Sequence, residues 1–219
     1  MSSASLPSCM DSRTDREFVL HDAEFSLLTR LVSEETGIVL AQHKRDMVYG
    51  RLVRRLRALH LDSFSEYCNL LQSPEGEQEI GNLVNAITTN LTSFFREAHH
   101  FEHLRTDVLL ARMHAHGPKR LRIWSAACSA GMEPYSIALT LAETLPNLAQ
   151  WDAKILATDI DTNMLNIARG GEYPAEQLRN IPANYLSYVE ESPSHKTFEI
   201  APSIKKLVTF NPLNLLSEW

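Results

Sequence analysis

Apolar residues recur at helical spacing along the first third of the chain. Phe25, Leu28, Leu31 and Val32 form one stripe after Asp22, which reads as the helix cap, and Gly37 stops the run. Val48, Leu52, Leu56 and Leu59 share one face of a helix expected over residues 44–60, while Lys44, Arg51, Arg54 and Arg55 gather on another. Ser63-Phe64-Ser65-Glu66 has the form of a capping box and opens a third helix to about residue 71. A fourth is expected over residues 77–88, after the break at Ser73-Pro74-Glu75-Gly76. Residues 1–17 are polar and read as a disordered leader, so 18–88 should be a small all-helical domain.

The pattern changes after Asn90. A helix is expected over residues 93–115, carrying Phe94, Phe101, Leu104, Val108 and Leu109 and ended by His116-Gly117-Pro118. Residues 121–128 read as a buried strand, Ser129-Ala130-Gly131 as a small-residue turn, and Pro134 suits the first turn of a helix to about residue 145. A second strand is expected at 154–160 and a helix at 161–169, with further strand candidates at 197–200 and 206–210. Strand, tight turn, helix, strand is a βαβ unit, so residues 89–219 should form an α/β domain with a parallel sheet.

Composition narrows the class. The chain is 44% hydrophobic and 22% charged, as expected of a globular protein and not of a collagen-like or disordered one. No apolar run approaches the ~18 residues that cross a bilayer, and no secretory pattern opens the chain. Three cysteines without CxxC spacing argue against disulfides and zinc and fit a reducing cytoplasm. A net charge of −6 argues against nucleic acid as partner. The average hides a reversal: residues 43–60 hold six Lys or Arg and one acid, which leaves the rest at −11. A basic island on an acidic chain suggests a docking surface for an acidic partner, against the plainer reading of a solvated helix face.

The candidate chemistry lies in the βαβ unit. Sheets of this kind bind nucleotide-like ligands at the first strand–helix turn, here Ala126-Ala127-Cys128-Ser129-Ala130-Gly131. With one glycine it is not G-x-G-x-x-G, so pyrophosphate binding is unsupported and a plain connection stays open. Asp159 ends the second strand, where an acid accepts from both hydroxyls of a ribose; the alternative is helix capping, for which Asp161 is better placed. Glu133 follows the turn and suits a ligand's positive charge, or else the helix dipole. A positively charged nucleoside without phosphates points to S-adenosylmethionine. His99, His100 and His103 share a helix but lack H-E-x-x-H and a third ligand, so no metal site is expected. Cys128 has no adjacent base and reads as a small residue chosen for size.

Several segments together resemble one family. Asn90-Leu91-Thr92-Ser93-Phe94-Phe95-Arg96-Glu97, Gly131-Met132-Glu133-Pro134-Tyr135-Ser136, Thr158-Asp159-Ile160-Asp161, Asn214-Leu215-Leu216 and the basic stretch from Lys44 to Arg57 are similar to the CheR family of chemotaxis-receptor glutamate methyltransferases. The resemblance covers about residues 20–217, in order. It implies a small all-helical domain followed by a Rossmann-like S-adenosylmethionine-dependent methyltransferase domain with a small β insertion. The implied reaction is methyl transfer to glutamates on the acidic cytoplasmic helices of methyl-accepting chemotaxis receptors, with S-adenosylhomocysteine as product. Asn90, Thr92, Arg96, Glu133, Asp159, Asn214 and Leu215 match the family's cofactor contacts, and Arg96 its candidate for orienting the carboxylate. Arg51, Arg54 and Arg55 are the expected receptor contacts, and a cytoplasmic monomer is expected.

The chain departs from the family pattern in three places. Met132 stands where the family has the first Glu of G-E-E-P-Y-S, leaving Glu133 as the acid. The β insertion, expected over residues 188–210, has Ser192-Pro193-Ser194 where a Gly-rich loop would sit, so dependence on a receptor's C-terminal tether is not expected. The family continues with a D-x-I-F-C-R-N strand and further elements, whereas this sequence stops at Trp219. It is therefore expected to be a fragment with an incomplete sheet and an open edge.

Overall fold

The computed structural model describes residues 16–218. The chain divides between Ile87 and Thr88 into two compact units. The first is helical: α1 (Asp22–Thr36), α2 (Arg45–Leu59), α3 (Phe64–Leu71) and α4 (Glu77–Ile87). The apolar stripes read from the sequence for α1 and α2 join Phe64 and Leu83 in one core, where Leu28, Val48, Leu52, Leu56, Phe64 and Leu83 are completely buried. Ser63 caps α3 as its pattern predicts, accepting the Glu66 N–H at 3.1 Å. Asp22 is not a cap. His21 holds that position, its N–H donating to the Glu24 carboxylate at 2.7 Å, and Asp22 begins the helix. Most of the expected leader lies outside the described residues, but its last two belong to the fold. Arg16 pairs with Asp46 at 2.7 Å and lies over the Tyr49 ring, and Glu17 pairs with Arg57.

The second unit opens with an irregular stretch. The helix expected over residues 93–115 starts only at α5 (Ala98–His103) and passes through a π-helical turn (Leu104–Leu109) into α6 (Leu110–His114). Phe95 and Glu97 have φ of 51° and 57°, which no right-handed helix accommodates. Then come β1 (Arg120–Ala126), α7 (Met132–Thr144), β2 (Asp152–Asp159), α8 (Thr162–Gly170), β3 (Glu172–Pro174), β4 (Val189–Glu191), β5 (Thr197–Ile200), α9 (Pro202–Lys205) and β6 (Val208–Pro212).

β1, β2 and β6 form a parallel sheet in the order β1-β2-β6, with Ile123 opposite Ile155 and Ile155 opposite Val208. β3, β5 and β4 form a separate antiparallel sheet between β2 and β6 in the chain. This is the α/β class with a β insertion that the sequence implies, with one correction. Residues 206–210 do not belong to the insertion, because β6 pairs with β2. β1 is not buried on both faces as expected. Ser125 is buried on one side while Trp124, on the other, is 45% exposed. Leu139, Ile155, Ala157, Leu165 and Phe198 lie in the core of this unit.

Candidate functional site

The carboxyl ends of β1, β2 and β6 carry the chemistry-bearing residues, the edge where open parallel sheets place their ligands. After Ala126 the chain reaches α7 through Ala127 (φ 57°), Cys128, Ser129 (φ 50°), Ala130 and Gly131 (φ 83°). Three left-handed residues in five are costly for non-glycine side chains and persist only where the surroundings enforce them. Three hydrogen bonds do so here. The Cys128 N–H donates to the Thr158 carbonyl at 2.9 Å and the Gly131 N–H to the Cys128 carbonyl at 3.0 Å. The Ser129 N–H donates to Asp159 Oδ2 at 2.6 Å.

Asp159 is 7% exposed, and its second oxygen, Oδ1, accepts the Asp161 N–H at 2.8 Å. A carboxylate offers about four acceptor positions, so about two remain for a ligand's hydroxyls. Asp161 caps α8, its Oδ1 accepting from the N–H groups of Asn163 (2.9 Å) and Met164 (3.2 Å), as the sequence suggested. The Cys128 thiol is pushed up to about 12 by burial and the Asp159 charge, so it stays protonated at neutral pH.

A cavity of about 240 Å³ opens beside this turn, lined by Thr92, Arg96, Ala127, Ser129 and Glu133 among others. Thr92, Arg96 and Glu133, 41 residues apart at the extremes, thus meet in one place. Glu133 is exposed, and its Oε1 accepts from Ser125 Oγ at 2.7 Å. Arg96 is exposed and donates one guanidinium N–H to the Leu91 carbonyl at 2.9 Å, which steadies the arm. Asp159 and Asn90 do not line it; both bond to the lining residue Ser129, whose N–H donates to Asp159 and whose Oγ donates to the Asn90 carbonyl at 3.3 Å. Asn214 and Leu215 do not line the cavity either; they follow Leu213, whose N–H donates to the Asp159 carbonyl at 3.0 Å.

The Phe94-Phe95 pair explains how an irregular segment holds Arg96 in place. Phe94 is 2% exposed and packs edge-on against Tyr173 at 5.0 Å. Phe95 stacks on Tyr185 at 4.6 Å, and its N–H donates to Ser136 Oγ at 3.0 Å. Sequence reasoning missed Glu97, His100 and Phe101, which also line the cavity. In the sequence His100 is one of three histidines on an expected helix, and its place next to the Arg96 segment is the available signal. Among the described residues, no group of three His, Cys, Asp or Glu is placed to hold a metal ion.

The expected docking residues separate in the helical unit. Arg55 grips Glu79 with two bonds, Nε–Oε1 at 2.7 Å and Nη2–Oε2 at 2.5 Å. Arg51 donates to the Ile87 carbonyl at 2.5 Å, capping the end of α4. Arg54 is exposed.

Residues 90–219 match the family model described as CheR methyltransferase, SAM binding domain, and residues 23–88 match that of the CheR methyltransferase all-alpha domain. The chain belongs to the CheR methyltransferase family. A probable chemotaxis protein methyltransferase of Rhizobium etli is 46% identical over 196 residues, covering 86% of this chain and 72% of that protein. The chemotaxis protein methyltransferase of Escherichia coli is 45% identical over 203 residues (91% and 68%). That of Salmonella typhimurium is 42% identical over 225 residues (98% and 74%). The chain is shorter than these CheR relatives. The CheR SAM-binding domain makes S-adenosylmethionine the cofactor, and the chain is a methyltransferase.

Proposed function

We propose that this chain transfers the methyl group of S-adenosylmethionine to glutamate side chains of methyl-accepting chemotaxis receptors. The products are glutamyl methyl esters and S-adenosylhomocysteine, and the role is sensory adaptation in bacterial chemotaxis. The observation that carries this reading is the convergence of Thr92, Arg96 and Glu133 in one cavity beside the Asp159-bound turn of a CheR-family chain. The donor set suits the cofactor. Asp159 keeps acceptor positions for ribose hydroxyls, Glu133 offers an exposed carboxylate to positive charge, and the turn at residues 126–131 carries a single glycine, unlike a G-x-G-x-x-G phosphate cradle.

S-adenosylmethionine supplies a methyl group on a positively charged sulfur. A γ-carboxylate oxygen of the receptor glutamate forms the new C–O bond as the C–S bond breaks; the electron pair stays on sulfur and no proton moves. A glutamate with pKa of about 4.3 is already ionised at neutral pH, so this chain needs no general base. Its contribution is alignment. Arg96, with one N–H fixed on Leu91, keeps the rest of its fork for one carboxylate oxygen. A strong bond to that oxygen lowers its nucleophilicity, which makes Arg96 an orienter of the carboxylate and leaves the attack to the other oxygen. Asn90, Asn214 and Leu215 complete the cofactor contacts. Arg54 is the leading receptor contact, ahead of Arg51 and Arg55. The protein acts as a cytoplasmic monomer.

The test is calorimetric titration of the chain with S-adenosylhomocysteine beside an Asp159→Ala variant checked for folding by circular dichroism. Charge-assisted hydrogen bonds of this kind predict weakening of about tenfold to a hundredfold in the variant. Labelled receptor should then release its methyl groups under mild base. Equal affinity in the parent and a folded variant removes Asp159 from the site, and label that survives base rules out an ester.

A further inference from the structure

The segment that carries Thr92 and Arg96 has almost no backbone pairing of its own, so something must hold its near end in register. Asp161 is 1% exposed and divides its two oxygens between two tasks. Oδ1 caps α8, as described. Oδ2 accepts Thr88 Oγ1 at 2.6 Å and Asn90 Nδ2 at 2.7 Å, from residues more than 70 positions earlier in the chain. A carboxylate has about four acceptor positions, and all four are filled. The Asn90 amide nitrogen thus donates to Asp161 and to Thr88 Oγ1 (3.3 Å), while its backbone carbonyl receives Ser129 Oγ at 3.3 Å. Both bonds fasten the start of the segment to the ends of β2 and β1, as Phe94 and Phe95 fasten its far end.

We propose that Asp161 is a positioning residue for methyl transfer: its tether on Thr88 and Asn90 sets where the segment from Leu91 to Arg96 lies and so places Thr92 and Arg96 in the cavity. It touches neither cofactor nor receptor. The proposal rests on the cofactor-site reading above.

Two variants separate the tether from the helix cap. Asp161→Ser keeps an oxygen for the α8 N–H groups, since serine is among the best N-caps, but is too short to reach Thr88 and Asn90 as well. Asp161→Asn keeps the cap and the reach. Its amide donates where the carboxylate accepted, and the Thr88 hydroxyl can rotate and the Asn90 amide can turn over to receive it.

Three measurements follow: thermal melting, chymotryptic cleavage within residues 88–96 mapped by mass spectrometry, and S-adenosylhomocysteine affinity with kcat and KM for receptor methylation. For Asp161→Ser the proposal expects a melting temperature near the parent's and cleavage at Leu91 faster by about tenfold. It also expects affinity weaker by about tenfold and a comparable fall in kcat, since loss of hydrogen bonds to a buried charge is worth about that much. Asp161→Asn should recover to within about threefold of the parent on the same scale.

Unchanged cleavage and affinity in Asp161→Ser would reduce Asp161 to a helix cap and overturn the proposal. So would faster cleavage with parental affinity and kcat, or an Asp161→Asn variant as impaired as Asp161→Ser. If the parent itself binds no S-adenosylhomocysteine, the cofactor reading and the positioning role both fall, while the cleavage rates still report whether the tether exists.

Discussion

Gly131 closes the turn between β1 and α7 with φ of +83°, where a side chain is strained whatever the space. Space is also short: an added Cβ would lie 2.7 Å from Ala168 Cβ and 3.2 Å from Phe210 Cε1. Strain and overpacking together put the cost of Gly131→Ala at about 2–4 kcal/mol, read by urea unfolding of the second unit. The same shift would displace Ser129 from Asp159, so affinity for S-adenosylhomocysteine should fall as well. A variant as stable as the parent would mean that the turn relaxes freely and that its left-handed residues are not enforced. Ala127 and Ser129 accept the same conformation without being glycine, which fits a site whose backbone is held by Asp159 and by the Thr158 carbonyl.

At the scale of elements, the basic helix α2 serves its own domain before any partner. Glu79 on α4 is 5% exposed and accepts from Arg55 twice, from Tyr67 Oη at 3.0 Å and from Asn82 Nδ2 at 2.9 Å. Burial pulls its pKa upward, but the bonds from Arg55, Asn82 and Tyr67 outweigh burial and hold it below the ordinary value. A carboxylate more acidic in the folded than in the unfolded chain stabilises the fold above about pH 4.3, and that support is lost as pH falls through its folded pKa. Glu79→Gln leaves the half-buried Arg55 fork facing an amide and should cost the helical unit about 2 kcal/mol at pH 7. Its melting temperature should also fall less steeply than the parent's below about pH 4. Parallel melting profiles for parent and variant would refute the assignment.

What the sequence made legible, and what it hid, also divides by element. α1 and α2 could be read because each repeats a local apolar stripe, α3 from its capping box and α4 from the break before it. The start of α5 could not. Phe94 and Phe95 extend the apolar pattern of a helix, yet one ring goes to Tyr173 and the other to Tyr185, each more than 70 residues away. β3 and β4 are three residues long, too short to show any period. Within the candidate site, Glu133, Asp159 and the Asp161 cap could be read from their places at strand and helix ends. The tether of Asn90 to Asp161 could not, because nothing local records a contact across 71 positions.

For the whole molecule, net charge and local charge pull in opposite directions. A chain at −6 repels an acidic receptor helix, and only a concentrated positive surface can reverse that locally. The six cations of residues 43–60 suggest a strong one, but four of them face acids or carbonyls within the helical unit. Arg45 pairs with Asp22, Arg55 with Glu79 and Arg57 with Glu17, while Arg51 caps α4. A carboxylate partner offsets much of the field of Arg45, Arg55 and Arg57 at a distance, and Arg51 is half-buried, so the exposed charge concentrates on Lys44 and Arg54. Electrostatic complementarity of this kind acts mainly on encounter and orientation and is screened beyond ~8 Å at physiological salt. Arg54→Glu should therefore raise KM for receptor by about threefold to tenfold at low ionic strength. It should leave kcat and S-adenosylhomocysteine affinity alone and converge on the parent as salt is added. Arg55→Gln should instead lower the melting temperature of the helical unit, because it strips a buried carboxylate of its partner. Initial methylation rates across a salt series decide the matter. An Arg54→Glu variant with parental KM at low salt would move the receptor contact off this face of α2, and a salt-independent rise in KM would assign Arg54 a packing role instead.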